Sequence, residues 1–135
     1  MPSFVLLLIA IGLTFVGELL LKHGMNALQA SGALDRFSLS FGPLVQTGWT
    51  VFSNPSVFFG FVFIFGGSLF WLAVISKLQL SYAYPLLSMN YILVVAASYF
   101  LFHEQVSWLK VAGVLVIVAG VVLVTLGEGN VSSNP

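Results

Sequence analysis

Four runs of about twenty apolar residues constrain this chain more than any other feature. A helix rises about 1.5 Å per residue, so about 20 apolar residues cross the roughly 30 Å hydrocarbon core of a bilayer. The runs lie at about 3–22, 57–76, 81–102 and 108–126 and take up most of the 135 residues. Composition agrees. Hydrophobic residues make up 59% and charged residues 6% of the chain, where soluble domains carry about 25% charged. The mean hydropathy is +1.09. The expectation is an all-α integral membrane protein of the cell (inner or plasma) membrane. It would form a single transmembrane domain over 1–135, with four spans, a long connection between the first two and a disordered tail over 128–135. The N-terminal MPSFVLLL lacks a basic segment and its apolar run outlasts a signal peptide, so the first span reads as retained.

The charge balance narrows the partners. Four Lys+Arg offset four Asp+Glu, which leaves no basic surface for nucleic acid and no polybasic tail for anionic lipid. Without cysteine there is no thiolate chemistry and no disulfide, and only His23 and His103 offer imidazole. Lys22, Arg36 and Lys110 fall on the side of the first and third loops, against Lys77 on the other. That bias, three to one, puts those loops inside.

The first span, SFVLLLIAIGLTFVGELLLKH, holds Glu18. An acid within a span costs roughly 2.5–3.5 kcal/mol on insertion scales, so it is a functional candidate by default. Thr14, Glu18 and Lys22 recur every four residues and share one helix face. Two readings stay open: Glu18 and Lys22 bind a substrate, or Lys22 snorkels to the interface as a structural partner of Glu18.

The long connection, residues 26–56, mixes aromatic and aliphatic residues with Ser, Gln and Thr and is interrupted by Pro43. It reads either as an amphipathic segment at the membrane interface or as a structured loop. Pro55 suits the start of the second span, whose Gly60, Gly66 and Gly67 permit close helix approach and whose Trp71 is polar-capable. The third span is richest in polar groups. At 100° per residue, Ser81, Tyr84, Ser88, Tyr91, Ser98 and Tyr99 fall within an arc of roughly 100°, with Ala83, Asn90 and Ala97 toward the far side. Such hydroxyls need a helix, a partner chain or a watery cavity to face. Pro85 is expected to kink or loosen its turn. The fourth span has Gly113, Gly120 and Gly127 at spacing seven, a groove suited to packing or dimerisation. His103 and Glu104 at the end of the third span read as a cap and loop anchor rather than an acid–base couple.

Tyr82 to Val124 resembles the drug/metabolite transporter superfamily, EamA-like, and within it the four-helix members of the aminoarabinose–undecaprenyl-phosphate flippase family. The matching residues are Leu80, Ser81, Ala83, Tyr84, Pro85, Ser88, Asn90, His103, Glu104, Gly113 and Gly120. The resemblance is fair over Gly17 to Lys22 and at Asn54–Pro55, and weak in the long connection. It implies an all-helical protein with no metal and no soluble cofactor. The small multidrug resistance family is similar in size and in the Gly113–Gly120 spacing. Two departures stand against that second likeness. Aligned on Gly17 and Lys22, the exporters' essential glutamate falls at Thr14, and their cation-stacking tryptophan falls at Leu87. At the position of Glu18 the flippase-like members more often resemble a Gln.

The leading expectation is transport of a lipid-linked or amphiphilic substrate, such as a polyprenyl-phosphate-linked sugar, by a homodimer or a heterodimer with a similar subunit. Its headgroup would pass along Tyr84, Ser88 and Tyr91, with Asn90 and Trp71 nearby and Thr14, Glu18 and Lys22 opposite. No residue is assigned a catalytic role. The alternatives are proton-coupled export of small cations through Glu18, and a non-transporting accessory subunit of a membrane enzyme.

Overall fold

The computed structural model describes residues 2–32 and 41–132. Arg36, counted above for orientation, lies outside the described residues, as do the rest of residues 33–40 of the long connection and the last three residues of the tail. Among the described residues six helices follow one another: α1 (Pro2–Ala30), α2 (Phe41–Ser53), α3 (Pro55–Ile75), α4 (Leu80–Leu87), α5 (Asn90–Phe100) and α6 (Trp108–Ser132). Among the described residues four segments are long and apolar enough to cross a membrane: α1, α3, α4 with α5, and α6. The fold is all-α, as the apolar runs imply.

Local sequence explains where these helices stop. α1 passes Lys22 and continues through Met25, Ala27, Leu28 and Gln29, all good helix formers. It ends where Gly32 takes a left-handed φ of 75°, the usual glycine helix stop. There Ser31 N donates to Ala27 O at 3.1 Å and Gly32 N to Gln29 O at 3.2 Å. Residues 41–53 are helical because Pro43 sits in the first turn, where its missing N–H leaves no bond unmade. Where the sequence left open an amphipathic segment or a structured loop, residues 41–53 form a helix. α2 is too short to span. Phe41, Leu44, Val45, Trp49 and Phe52 line one side, all exposed, while Gln46, Thr50 and Ser53 lie opposite, the pattern of a helix lying in the interface.

One residue separates α2 from α3. Asn54 caps α3, its Oδ1 accepting from Ser56 N at 3.0 Å and Val57 N at 3.3 Å, and Pro55 occupies the first helical position. At the other end of the chain, α6 runs to Ser132 and takes in Glu128, Gly129 and Asn130, where the sequence suggested a tail.

Contacts divide the chain into two compact units, Gly12–Leu69 in one and Met1–Ile11 with Phe70–Pro135 in the other. In the first, α1 and α3 pack through glycines. A Cβ on Gly17 would stand 2.7 Å from Gly60 O and 2.6 Å from Ile64 Cγ1, and one on Gly60 would stand 2.9 Å from Gly17 O. A Cβ on Gly24 would meet Val57 Cγ2 at 2.6 Å and the capping Asn54 Oδ1 at 2.9 Å. Small residues let backbones touch where hydrocarbon supplies no hydrophobic drive between helices. Phe52 and Phe61 stack at 4.9 Å and join α2 to α3.

The second unit has the larger core. Leu7 and Ile11 from α1, Val74 from α3, Ala83 and Leu86 from α4 and Val121 from α6 form one buried cluster, with Trp71 and Ile117 packed against it. α4 packs on α6. Val121 is the one buried residue of α6 among those described; Val114, Ile117 and Glu128 are half-buried, and most of the other residues of that helix are exposed.

Candidate functional site

The third span is broken where its hydroxyls cluster. Pro85 lies inside α4, and the helix gives way at Ser88 and Met89 before α5 begins. Proline cannot donate to the carbonyl a turn earlier and crowds it, which loosens the ladder around it. The junction is tightened instead by i→i−3 bonds. Ser88 N reaches Pro85 O at 3.2 Å, Met89 N reaches Leu86 O at 3.1 Å, and Tyr91 N reaches Ser88 O at 3.0 Å. Ser88 Oγ also donates to Pro85 O. The distortion expected at Pro85 thus falls three residues further on, as a tightened turn in which Ser88 and Met89 keep a right-handed helical backbone.

The two sides of this broken span differ. Ala83 at 0%, Leu86 at 8% and Ala97 at 7% exposure form its packed face. Ser81, Tyr84, Tyr91 and Tyr99 are exposed, and Ser88 and Ser98 are half-buried. The hydroxyl stripe therefore looks away from the core of its own unit. Asn90 is half-buried at the start of α5. Trp71 of α3 meets Tyr84 edge-to-face at a centroid distance of 5.4 Å. This geometry is favourable for aromatic pairs and fixes the Tyr84 ring at the stripe's edge.

Thr14, Glu18 and Lys22 stand in a row along the unbroken α1, in the other unit. Thr14 and Glu18 are half-buried and Lys22 is exposed. Glu18 follows Gly17 directly, so the Gly17–Gly60 approach sets the rotation of the helix turn that carries it. On α6, Gly113, Gly120 and Gly127 are all exposed, and a Cβ at any of them would meet nothing within 4 Å. That groove is not filled by the described residues of the chain itself.

Two features escaped the sequence reading. Gly17 and Gly24 form the α1–α3 approach, although only Gly60 and its neighbours on α3 stood out. The signal was present as a seven-residue glycine spacing in the first span. The second is at the α5–α6 turn, where His103 takes a left-handed φ of 53° and Glu104 N donates to Ser98 O at 2.9 Å. Lys110, three residues into α6, was used only for orientation.

Four apolar spans, one lined on its outer side by hydroxyls, define a small multi-pass α-helical membrane protein. The chain is 32% identical over 129 residues, 96% of its length and 99% of the relative's, to a protein of Hamiltonella defensa named "Probable 4-amino-4-deoxy-L-arabinose-phosphoundecaprenol flippase subunit ArnE". It is 34% identical over 127 residues, 90% of its length and 94% of the relative's, to the Klebsiella pneumoniae protein of the same description named as subunit ArnF. A Pseudomonas fluorescens ArnE is 29% identical over 125 residues, 91% of this chain and 96% of that one. No family model and no solved structure matches the chain. The chain belongs to the ArnE/ArnF family of flippase subunits.

Proposed function

We propose that the chain is one subunit of a transporter that moves a polyprenyl-phosphate-linked sugar across the inner membrane, without catalysing a covalent step. The relatives' names supply the substrate type, a phosphoundecaprenol carrying an amino sugar. The observation that carries the reading is the hydroxyl stripe of Ser81, Tyr84, Ser88 and Tyr91, turned away from the packed face of its own unit. Ser88 Oγ is bonded within its own helix, but tyrosine hydroxyls facing lipid tails need a partner from outside, so this side is best used as the wall of a polar path or against a second subunit.

The open glycine groove of α6 supports the second subunit, either another copy or a similar chain. Four helices enclose little volume, and pairing is the usual way for a small chain to build a pathway. On α1, Lys22 suits the phosphate, while Glu18 suits the amine or hydroxyls of the sugar. Thr14 joins Glu18 and Lys22 on α1, and Trp71 and Asn90 join the stripe in the other unit, as residues proposed for the substrate. Lys22→Ala and Ser88→Leu should each slow translocation of the aminoarabinose-linked lipid in proteoliposomes. Unchanged rates in both variants would remove this site.

A further inference from the structure

We propose that the cleft between the end of α5 and the first turn of α6 is a docking site for an amine-bearing phosphodiester headgroup, with Lys110 for the phosphate and Glu104 for the amine. This rests on the transport reading above and adds a binding position to it. The cleft has a volume of about 160 Å³ and is lined by Tyr91, Ser98, Glu104, Gln105 and Lys110 with three valines. It lies wholly within one compact unit.

Three observations converge on it. First, the lining joins one acid and one base to hydroxyls and an amide on a valine wall, the combination that would hold a zwitterionic headgroup attached to an apolar tail. Second, Tyr91 and Ser98 belong to the hydroxyl stripe. Seven residues of helix separate them, so the cleft follows α5 for about 10 Å into the span. It would thus receive a headgroup at the membrane face and hand it to the stripe. Third, the segment that shapes the cleft is held in an unusual conformation. The φ of 53° at His103 is one that side-chain-bearing residues seldom adopt and that gathers at binding sites. It lets Glu104 N bond to Ser98 O at 2.9 Å, folding the turn back over α5. Ser107 Oγ accepts from Lys110 N at 3.2 Å and fixes the start of α6. Trp108, 86% exposed, marks this end of the spans as the interface, where tryptophan anchors at headgroup depth.

The test uses the full chain in phosphatidylcholine nanodiscs and three probes: aminoarabinose-linked undecaprenyl phosphate, undecaprenyl phosphate and undecaprenol. Lys110→Ala should weaken binding of the two phosphate-bearing lipids roughly tenfold, and Lys110→Arg should restore it. Glu104→Gln should weaken only the amino-sugar lipid, and undecaprenol should bind equally to all forms. Phosphatidylethanolamine, which carries the same amine and phosphate, is added as competitor. Displacement by it would extend the site to ordinary phospholipid headgroups, and no displacement would reserve it for the polyprenyl lipid. Wild-type binding that neither variant alters would overturn the cleft and leave the transport reading standing. Wild-type discs that hold none of the three probes would overturn both.

Discussion

The glycine crossing of α1 and α3 yields a measurable prediction, because one helix offers its own control. Gly17→Ala adds a Cβ that falls 2.6 Å from Ile64 Cγ1 and 2.7 Å from Gly60 O. Ile64 can turn its side chain, but a backbone carbonyl cannot move without its helix. The helices must therefore separate by several tenths of an ångström, and overpacking of this kind costs about 1–3 kcal/mol. Replacing glycine by alanine within a helix also returns up to about 1 kcal/mol of propensity, which would blur the result. Gly12→Ala on the same helix gains the same propensity and meets nothing within 4 Å. The difference between the two variants isolates the clash. Equilibrium unfolding in mixed detergent micelles should place Gly17→Ala about 1–3 kcal/mol below Gly12→Ala, roughly a 5- to 150-fold change in the folded ratio. Since Glu18 follows Gly17, translocation should fall in the first variant and stay near wild type in the second. Equal stabilities for the two variants would refute the close approach.

Other outcomes follow from the same geometry. Asn54→Ala removes the cap accepting from Ser56 N and Val57 N and should cost about 1 kcal/mol in the same unfolding assay. Gly120→Leu fills the open groove of α6 and should weaken subunit association, read by single-molecule photobleaching in liposomes, while leaving the fold of the isolated chain intact. Trp49→Ala removes a large exposed aromatic anchor from the apolar side of α2 and should raise the solvent exposure of that segment in hydrogen exchange in lipid discs.

The spans were legible because length and apolarity alone decide whether a helix can cross a bilayer. Other features needed coordinates. Pro43 read as an interruption of its apolar run, since sequence does not say whether a proline stands in the first turn of a helix or its middle. Pro85 announced a distortion, but the break came at Ser88 and Met89, where i→i−3 bonds could close the junction. The grouping of hydroxyls along the third span was visible as periodicity. That Ala83 and Leu86 lie on its packed face, leaving the stripe outward, depends on packing with Leu7, Val74 and Val121, residues distant in sequence. Glu104 and Lys110 looked unrelated for the same reason. They line one cleft beside a turn in which His103 takes a left-handed conformation, and the sequence does not say that a particular histidine will do so.

Glu18 separates the two transport readings most directly. Proteoliposomes loaded with the wild-type chain or Glu18→Gln, together with any subunit that co-purifies, are assayed for movement of the aminoarabinose-linked polyprenyl lipid and of a small lipophilic cation. The account predicts that the lipid moves in both forms, more slowly in Glu18→Gln, and that the cation stays in place. Cation efflux driven by a proton gradient and lost in Glu18→Gln, with no lipid movement in either form, would contradict the account.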